Sequence, residues 1–402
     1  MGLGERLGGR AGRVNLGARR GLNATMASSP HLNPDAGDAG VDLDHPVAVT
    51  SGGLSGERLW RPRRVLISRG ARDWAHGLAM AERCAMQGLP VVELASDRLG
   101  LGELSYAEAK STLAVVVAPP GKLKLQPIAP SADWRLDLAE GCPAHCSYCY
   151  LAGSLKGPPV TRAYANLPEI FNAATRHLGQ GRVTSRSAKR AHEGTTYEAS
   201  CYTDPLGIEH LTGSLAATIA HFGVWDADAQ LRFTTKFDAV GPLLDIAHNG
   251  RTRMRVSLNP DAFARFEGGT AKVAARIAGM RRMALAGYKM GLTIAPIIAA
   301  DGWQAAYGGL LRDVATALAD APDCDLTVEL ITHRFSATSK AALESWYPGS
   351  PLDMSAVNRA EKRTKFGSVK HVYDRPTMTA LKTWFLDRVS STLPNARMLY
   401  WT

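Results

Sequence analysis

Long apolar runs are missing from this sequence, and so is any set of cysteines spaced as a disulfide framework. No stretch approaches the ~18 consecutive apolar residues that a membrane-spanning helix needs, so no membrane partner is expected. Only six cysteines occur in 402 residues, and three of them crowd into one loop. That usage points to a reducing, cytoplasmic compartment. The amino terminus shows no apolar signal core, and Met1-Gly2 fails the myristoylation pattern because Arg6 stands where Ser or Thr is required. Acidic residues are also in short supply. Against 47 Lys and Arg stand 37 Asp and Glu, leaving a net charge of +10, which favours a polyanionic partner such as nucleic acid.

What is present begins with the loop from Gly141 to Leu151, where Cys142, Cys146 and Cys149 form a C-x3-C-x2-C array. The spacing is too tight for one helix face or one strand to present, so the run has to wrap around something. Three thiolates with a metal position left open suit an iron–sulfur centre that receives a further ligand. Zinc would need a fourth ligand, for which His145 is the neighbour at hand, but no second C-x2-C knuckle accompanies the array. Chance clustering is the third reading.

Residues 1–57 are rich in Gly, Ala, Ser and Pro without periodicity and carry Arg6, Arg10, Arg13, Arg19 and Arg20; they read as a disordered basic tail. Residues 58–130 read as a small α/β lobe: strands over 63–67, 90–94 and 111–117, a helix over 75–87 with Cys84 as a small core residue. From Trp134 onward, apolar strand candidates (134–138, 197–201, 231–236, 254–259, 290–297 and 326–332) alternate with helix-spaced apolar residues such as Leu167, Ile170, Ala174 and Leu178. Six strand–helix units in series over 131–402 predict an α/β fold, a partial (β/α)6 barrel with parallel strands. In such barrels functional groups gather at the carboxyl ends of strands. Those ends hold the cysteine loop, Cys201 with Asp204, Lys236, Ser257 with Asn259, and Glu329 with His333.

Cys-Ser-Tyr-Cys-Tyr-Leu (146–151), Glu-Ala-Ser-Cys (198–201), Gly-Ile-Glu-His-Leu-Thr (207–212), Phe-Thr-Thr-Lys (233–236), Ser-Leu-Asn (257–259), Ala-Pro-Ile (295–297) and Glu-Leu-Ile-Thr-His-Arg-Phe (329–335) occur in that order. Together they resemble the spore photoproduct lyase family of radical S-adenosylmethionine (SAM) enzymes, from about Arg61 to Thr402. The resemblance implies a TIM-like radical SAM barrel in which Cys142, Cys146 and Cys149 hold a [4Fe–4S] cluster that binds S-adenosyl-L-methionine. It implies cofactor contacts from Thr203, Lys236, Ser257 and Asn259, with Thr203 standing where the family carries Ser. Cys201 matches the family's hydrogen-atom donor, and Tyr148 and Tyr150 match tyrosines that return the radical toward the cofactor.

The basic and aromatic run 362–375 fits a hairpin that lays cations on phosphates and a ring against a displaced base. Its expected DNA contacts are Lys365, Phe366 and Lys370, with Lys365 and Phe366 replacing a family Arg and Tyr. A second basic loop holds Arg182, Arg186, Lys189 and Arg190. The expected activity is DNA repair: cleavage of 5-thyminyl-5,6-dihydrothymine in UV-damaged DNA to two thymines, by a monomer served by a flavodoxin or ferredoxin. Two alternatives stand beside it: the same chemistry on another nucleic-acid or small-molecule substrate, and a metal-stabilised nucleic-acid-binding protein without catalysis.

Overall fold

The computed structural model describes residues 59–155, 157–184, 187, 190–357, 359–363 and 369–402. The amino-terminal tail expected over 1–57 lies outside them.

The lobe starts with β1 (Arg64–Ile67), α1 (Ala75–Met86), β2 (Val91–Glu93), α2 (Tyr106–Lys110) and β3 (Thr112–Val116); all but α2, which was not expected, fall within a residue or two of the sequence expectation. Helix α1 buries Gly77, Met80 and Cys84 at helical spacing against Val65, Ile67, Leu113 and Val115. Cys84 is fully buried there, as a small core residue should be. The sheet does not stop at residue 130. After β4 (Gln126–Ile128) and β5 (Ala132–Leu136), the chain sends β6 (Ala139–Glu140) and, past β7 (His145–Cys146), β8 (Thr161–Tyr164) back to it, giving the order β2-β1-β3-β8-β6. The cysteine loop therefore lies between two strands that tie the lobe to the second sheet.

That second sheet and the helices around it take in α3 (Leu167–His177), β9 (Thr195–Ala199), α4 (Glu209–Thr212), α5 (Ser214–Val224), β10 (Ala229–Thr235), β11 (Thr252–Leu258), α6 (Val273–Leu285), β13 (Lys289–Ile297), α7 (Trp303–Ala317) and β14 (Leu326–Thr332), while β12 (Glu267–Gly268) pairs outside it with β7. Beyond it follow α8 (Ala337–Trp346), the hairpin β15 (Arg359–Arg363) and β16 (Val369–Tyr373), α9 (Arg375–Thr392) and β17 (Arg397–Trp401). Strand order is β17-β14-β13-β11-β10-β9-β5-β4. The six expected strands form its parallel centre, β17 adds a parallel edge beside β14, and β4 an antiparallel edge beside β5. Among the described residues β17 and β4 do not pair, so the curled sheet is a half-barrel with an open side.

Both faces of its strands are buried, yet a period of two survives. In β11, Met254, Val256 and Leu258 join the apolar layer under the helices, while Arg253, Arg255 and Ser257 occupy the opposite face. Arg255 lies in the concave interior, where it pairs with Glu198 of β9 and, at 2.5 Å, with Glu329 of β14. Gly291 on β13 makes room for it: a Cβ there would lie 2.7 Å from Arg255 Cγ.

Candidate active site

Local geometry first fixes the cysteine loop. Gly141 adopts φ +76°, and a Cβ on it would lie 2.3 Å from the Val160 carbonyl oxygen, so only glycine fits the turn into Cys142. Strand β7 then pairs antiparallel with β12, setting Cys146 opposite Glu267. The Cys149 N–H donates to the Cys146 carbonyl at 3.2 Å. From α2, the buried Lys110 donates to the carbonyls of Cys142 and Ala144.

All three cysteines line one cavity of about 370 Å³ at the carboxyl ends of the half-barrel strands, together with Cys201, Thr203, Lys236, Ser257, Tyr148 and Tyr150. Among the described residues, no three His, Cys, Asp or Glu side chains converge on a single ion-sized point. A mononuclear zinc requires such convergence. A cubane does not, because each thiolate meets a separate iron. His145, the conceivable zinc ligand, instead has Nδ1 3.2 Å from the Tyr106 hydroxyl and does not line the cavity. Burial pushes all three thiols up, Cys142 to about 12, so a resident metal is what would hold them as thiolates.

Behind the thiols lies a polar node that the sequence did not reveal. Lys236 Nζ donates to Ser257 Oγ at 2.9 Å, to Glu267 Oε1 at 2.9 Å and to the Ala295 carbonyl at 3.3 Å. Glu267 also receives Arg276 at 2.6 Å, Asn259 Nδ2 at 3.0 Å and the Tyr148 hydroxyl. Asn259 is fully buried and, unlike Ser257 and Lys236, lies behind the cavity wall, held by Glu267 and Tyr307. Asp204 accepts from the Lys236 and Gly207 amides and from the Thr235 hydroxyl; burial nevertheless raises its carboxyl to about 6. The Thr203 hydroxyl faces the same space, buried and without a hydrogen-bond partner among the described residues. An orphaned buried hydroxyl at a cavity wall fits a missing polar ligand.

Cys201 follows a strained residue. Ser200 has φ +54°, and its hydroxyl accepts the amides of Leu138 at 2.9 Å and Ala139 at 3.2 Å, which offsets the strain and turns Cys201 into the cavity. Burial, and then the carboxylates of Asp137 and Glu198, push the Cys201 thiol well up, so it stays protonated at neutral pH. Tyr150 differs from buried Tyr148: it is 42% exposed at the cavity mouth, with Lys370 Nζ 4.7 Å and the Arg334 guanidinium 5.8 Å from its ring centre. The hairpin carrying Lys370 is fixed there by Arg359, which donates to the His333 carbonyl at 3.2 Å, and by Phe335 stacked on His371 at 5.1 Å. Lys365 and Phe366 lie outside the described residues, as do Arg186 and Lys189 of the second basic loop. Arg190 of that loop is no solvated cation. It is 5% exposed, paired with Glu193 at 2.8 Å, and bonded to the carbonyls of Pro130 and Ser131.

A half-barrel that delivers three clustered thiols, a fourth thiol and a polar rim to one cavity has the architecture of the radical SAM enzymes. A family model described as spore photoproduct lyase matches residues 60–402. The spore photoproduct lyases of Geobacillus sp. (strain Y412MC61) and Bacillus subtilis (strain 168) are 36% and 35% identical over 348 residues, covering 85% of this chain and 98% of theirs. A solved spore photoproduct lyase complexed with dinucleoside spore photoproduct matches with a TM-score of 0.77 at 36% identity, over 85% of this chain and 99% of that one. A doubly substituted variant with bound AdoMet and the dinucleoside photoproduct matches equally well, at 35% identity. This chain belongs to the spore photoproduct lyase family.

Proposed function

We propose that this protein is a radical SAM lyase that repairs 5-thyminyl-5,6-dihydrothymine, restoring two thymines in UV-damaged DNA. The observation that carries the reading is the shared cavity: the cysteine array, Cys201 and Thr203 face one space. The family relatives that hold AdoMet and the dinucleoside photoproduct support the same substrate. Cys142, Cys146 and Cys149 would hold a [4Fe–4S] cluster, which with SAM would supply the radical chemistry needed to remove hydrogen from C6 of the lesion.

The chain's own residues do the rest. Thr203, Lys236 and Ser257 present a hydroxyl, an ammonium and a second hydroxyl to the polar groups of SAM, while Asn259 acts at one remove by holding Glu267. Cys201 gives its thiol hydrogen atom to the product radical once the methylene bridge has opened, a role that needs an S–H and suits a thiol kept neutral by burial. Tyr148 and Tyr150 then stand in the path by which the sulfur regains hydrogen. The lesion has to leave the base stack, which damage makes easier, and the hairpin that carries Lys370 would meet the displaced strand. A one-electron donor of flavodoxin or ferredoxin type serves the cluster, and the chain acts as a monomer. Among the described residues no helix is long and apolar enough to cross a membrane.

The test is anaerobic incubation of the reconstituted protein with dithionite, SAM and the dinucleoside photoproduct. Intact thymines should form together with 5′-deoxyadenosine. Cys201→Ala should still cleave SAM but return by-products in place of clean thymine. Cofactor cleavage without thymine would move the substrate elsewhere; a colourless protein that cleaves nothing would favour a non-catalytic nucleic-acid-binding role.

A further inference from the structure

A buried cation beneath the cysteine loop has no part in the chemistry above. Helix α2 is a single turn closed by a reciprocal cap: the Glu108 amide donates to Ser105 Oγ at 3.3 Å, and the Ser105 amide to Glu108 Oε2 at 2.9 Å. Tyr106 and Lys110, four residues apart, share one face of it. Tyr106 stacks on Trp346 at 5.2 Å and meets His145, while Lys110 reaches under the loop to two of its carbonyls. Lys110 is 6% exposed, and among the described residues it forms no ion pair with a carboxylate. Lys236, the other ammonium near the thiols, is already paired with Glu267 at 2.9 Å.

A buried ammonium with only carbonyl partners is costly unless a negative body lies close by. Lys110 is bonded to the carbonyls of Cys142 and Ala144, so its charge lies against the backbone of the loop that carries the three thiols. A cluster carried on three thiolates is net negative, and taking up one electron adds a further negative charge. Nearby positive charge stabilises that reduced form more than the oxidised one.

We propose that Lys110 is a positioning residue that sets the reduction potential of the cluster, acting as its buried counter-charge. The inference rests on the three cysteines holding an iron–sulfur cluster, and it concerns transfer of one electron from a low-potential one-electron donor, with no bond made or broken at Lys110. The decisive variant is Lys110→Gln, which keeps amide donors for the two carbonyls but removes the charge. Lys110→Arg keeps the charge, and Lys289→Gln removes a lysine from the opposite end of the strands.

The measurement is a spin-resonance-monitored redox titration with dithionite and mediators, without SAM or lesion. At the wild-type midpoint, Lys110→Gln should show an oxidised-to-reduced ratio raised about tenfold, a fall in potential of about 59 mV for one electron. Lys110→Arg and Lys289→Gln should titrate as wild type. If Lys110→Gln loses its iron while Lys110→Arg keeps four, the charge is needed to hold the cluster, which supports the inference. An unmoved potential in Lys110→Gln, or loss of iron from both Lys110 variants, would overturn it. Wild-type protein that assembles no cluster would instead overturn the reading of the cysteine loop on which this one stands.

Discussion

Replacing Glu267 by Gln removes the carboxylate that pairs with both cations of a buried node. The carboxylate lies 2.9 Å from Lys236 Nζ and 2.6 Å from the Arg276 guanidinium, with side-chain exposure of 1% for Glu267 and Arg276 and 14% for Lys236. Burial alone would raise its pKa, but Lys236 and Arg276 outweigh burial and hold it at about 2 against an ordinary 4.5. That displacement corresponds to roughly 3 kcal/mol, at about 1.4 kcal/mol per pH unit. Removing one partner of a buried pair gives a similar figure by mutation, about 3–5 kcal/mol.

Urea unfolding of the metal-free chain at pH 7 should therefore show Glu267→Gln less stable by about 3 kcal/mol, seen as a lower midpoint at unchanged slope. Because the folded-state pKa is depressed, the stabilisation is complete above the unfolded value of 4.5 and is lost as pH falls from there toward about 2. The gap between wild type and variant should be widest near neutrality and close progressively on acidification below 4.5. A difference under about 1 kcal/mol at pH 7, or one that stays constant in acid, would refute the assignment of Glu267 as the charge that binds this node.

Gly141→Ala should leave the fold largely intact but assemble well under four irons per chain, because its Cβ would meet the Val160 carbonyl at 2.3 Å in a backbone with φ +76° and displace Cys142; iron and sulfide analysis checks this. Arg190→Ala should destabilise by about 3–5 kcal/mol in thermal or urea unfolding, since it strands the buried Glu193 carboxylate, whereas a solvated loop cation would cost almost nothing. Glu209 caps α5 through the amides of Leu215 at 2.8 Å and Ala216 at 3.0 Å, yet burial raises it from 4.5 to about 7. A raised folded pKa contributes stability that is full below 4.5 and lost as pH rises through about 7, so Glu209→Gln should gain on wild type by roughly 2–3 kcal/mol between pH 4.5 and 8.

Of these residues the sequence left Glu267 unmarked and showed Arg190 only as one cation of a basic loop, and the reason is physical. The central strands were legible because an apolar stripe with a period of two persists in β11 and β14 even where the other face carries Arg255 or Glu329. The cysteine array was legible because three thiols within eight residues are a local fact. Cys201 and Lys236 stood out by their place at strand ends. Strand β17 was missed because it follows a hairpin and a long helix, outside the strand–helix alternation.

The supports of the site are a different matter. Lys110 meets Cys142 across 32 residues, and Tyr148 meets Glu267 across 119. Neither Lys110 nor Glu267 sits in a motif, and Glu267 comes opposite Cys146 only when β7 pairs with β12. Asn259 shows the same limit from the other side. Its position at a strand end was read correctly, but only the node around Glu267 decides that its amide faces away from the cavity. Side chains that do chemistry advertise themselves by type and local spacing. Those that set charge around them become visible only when the sheet has closed, so electrostatic control of this site belongs to the fold more than to any motif.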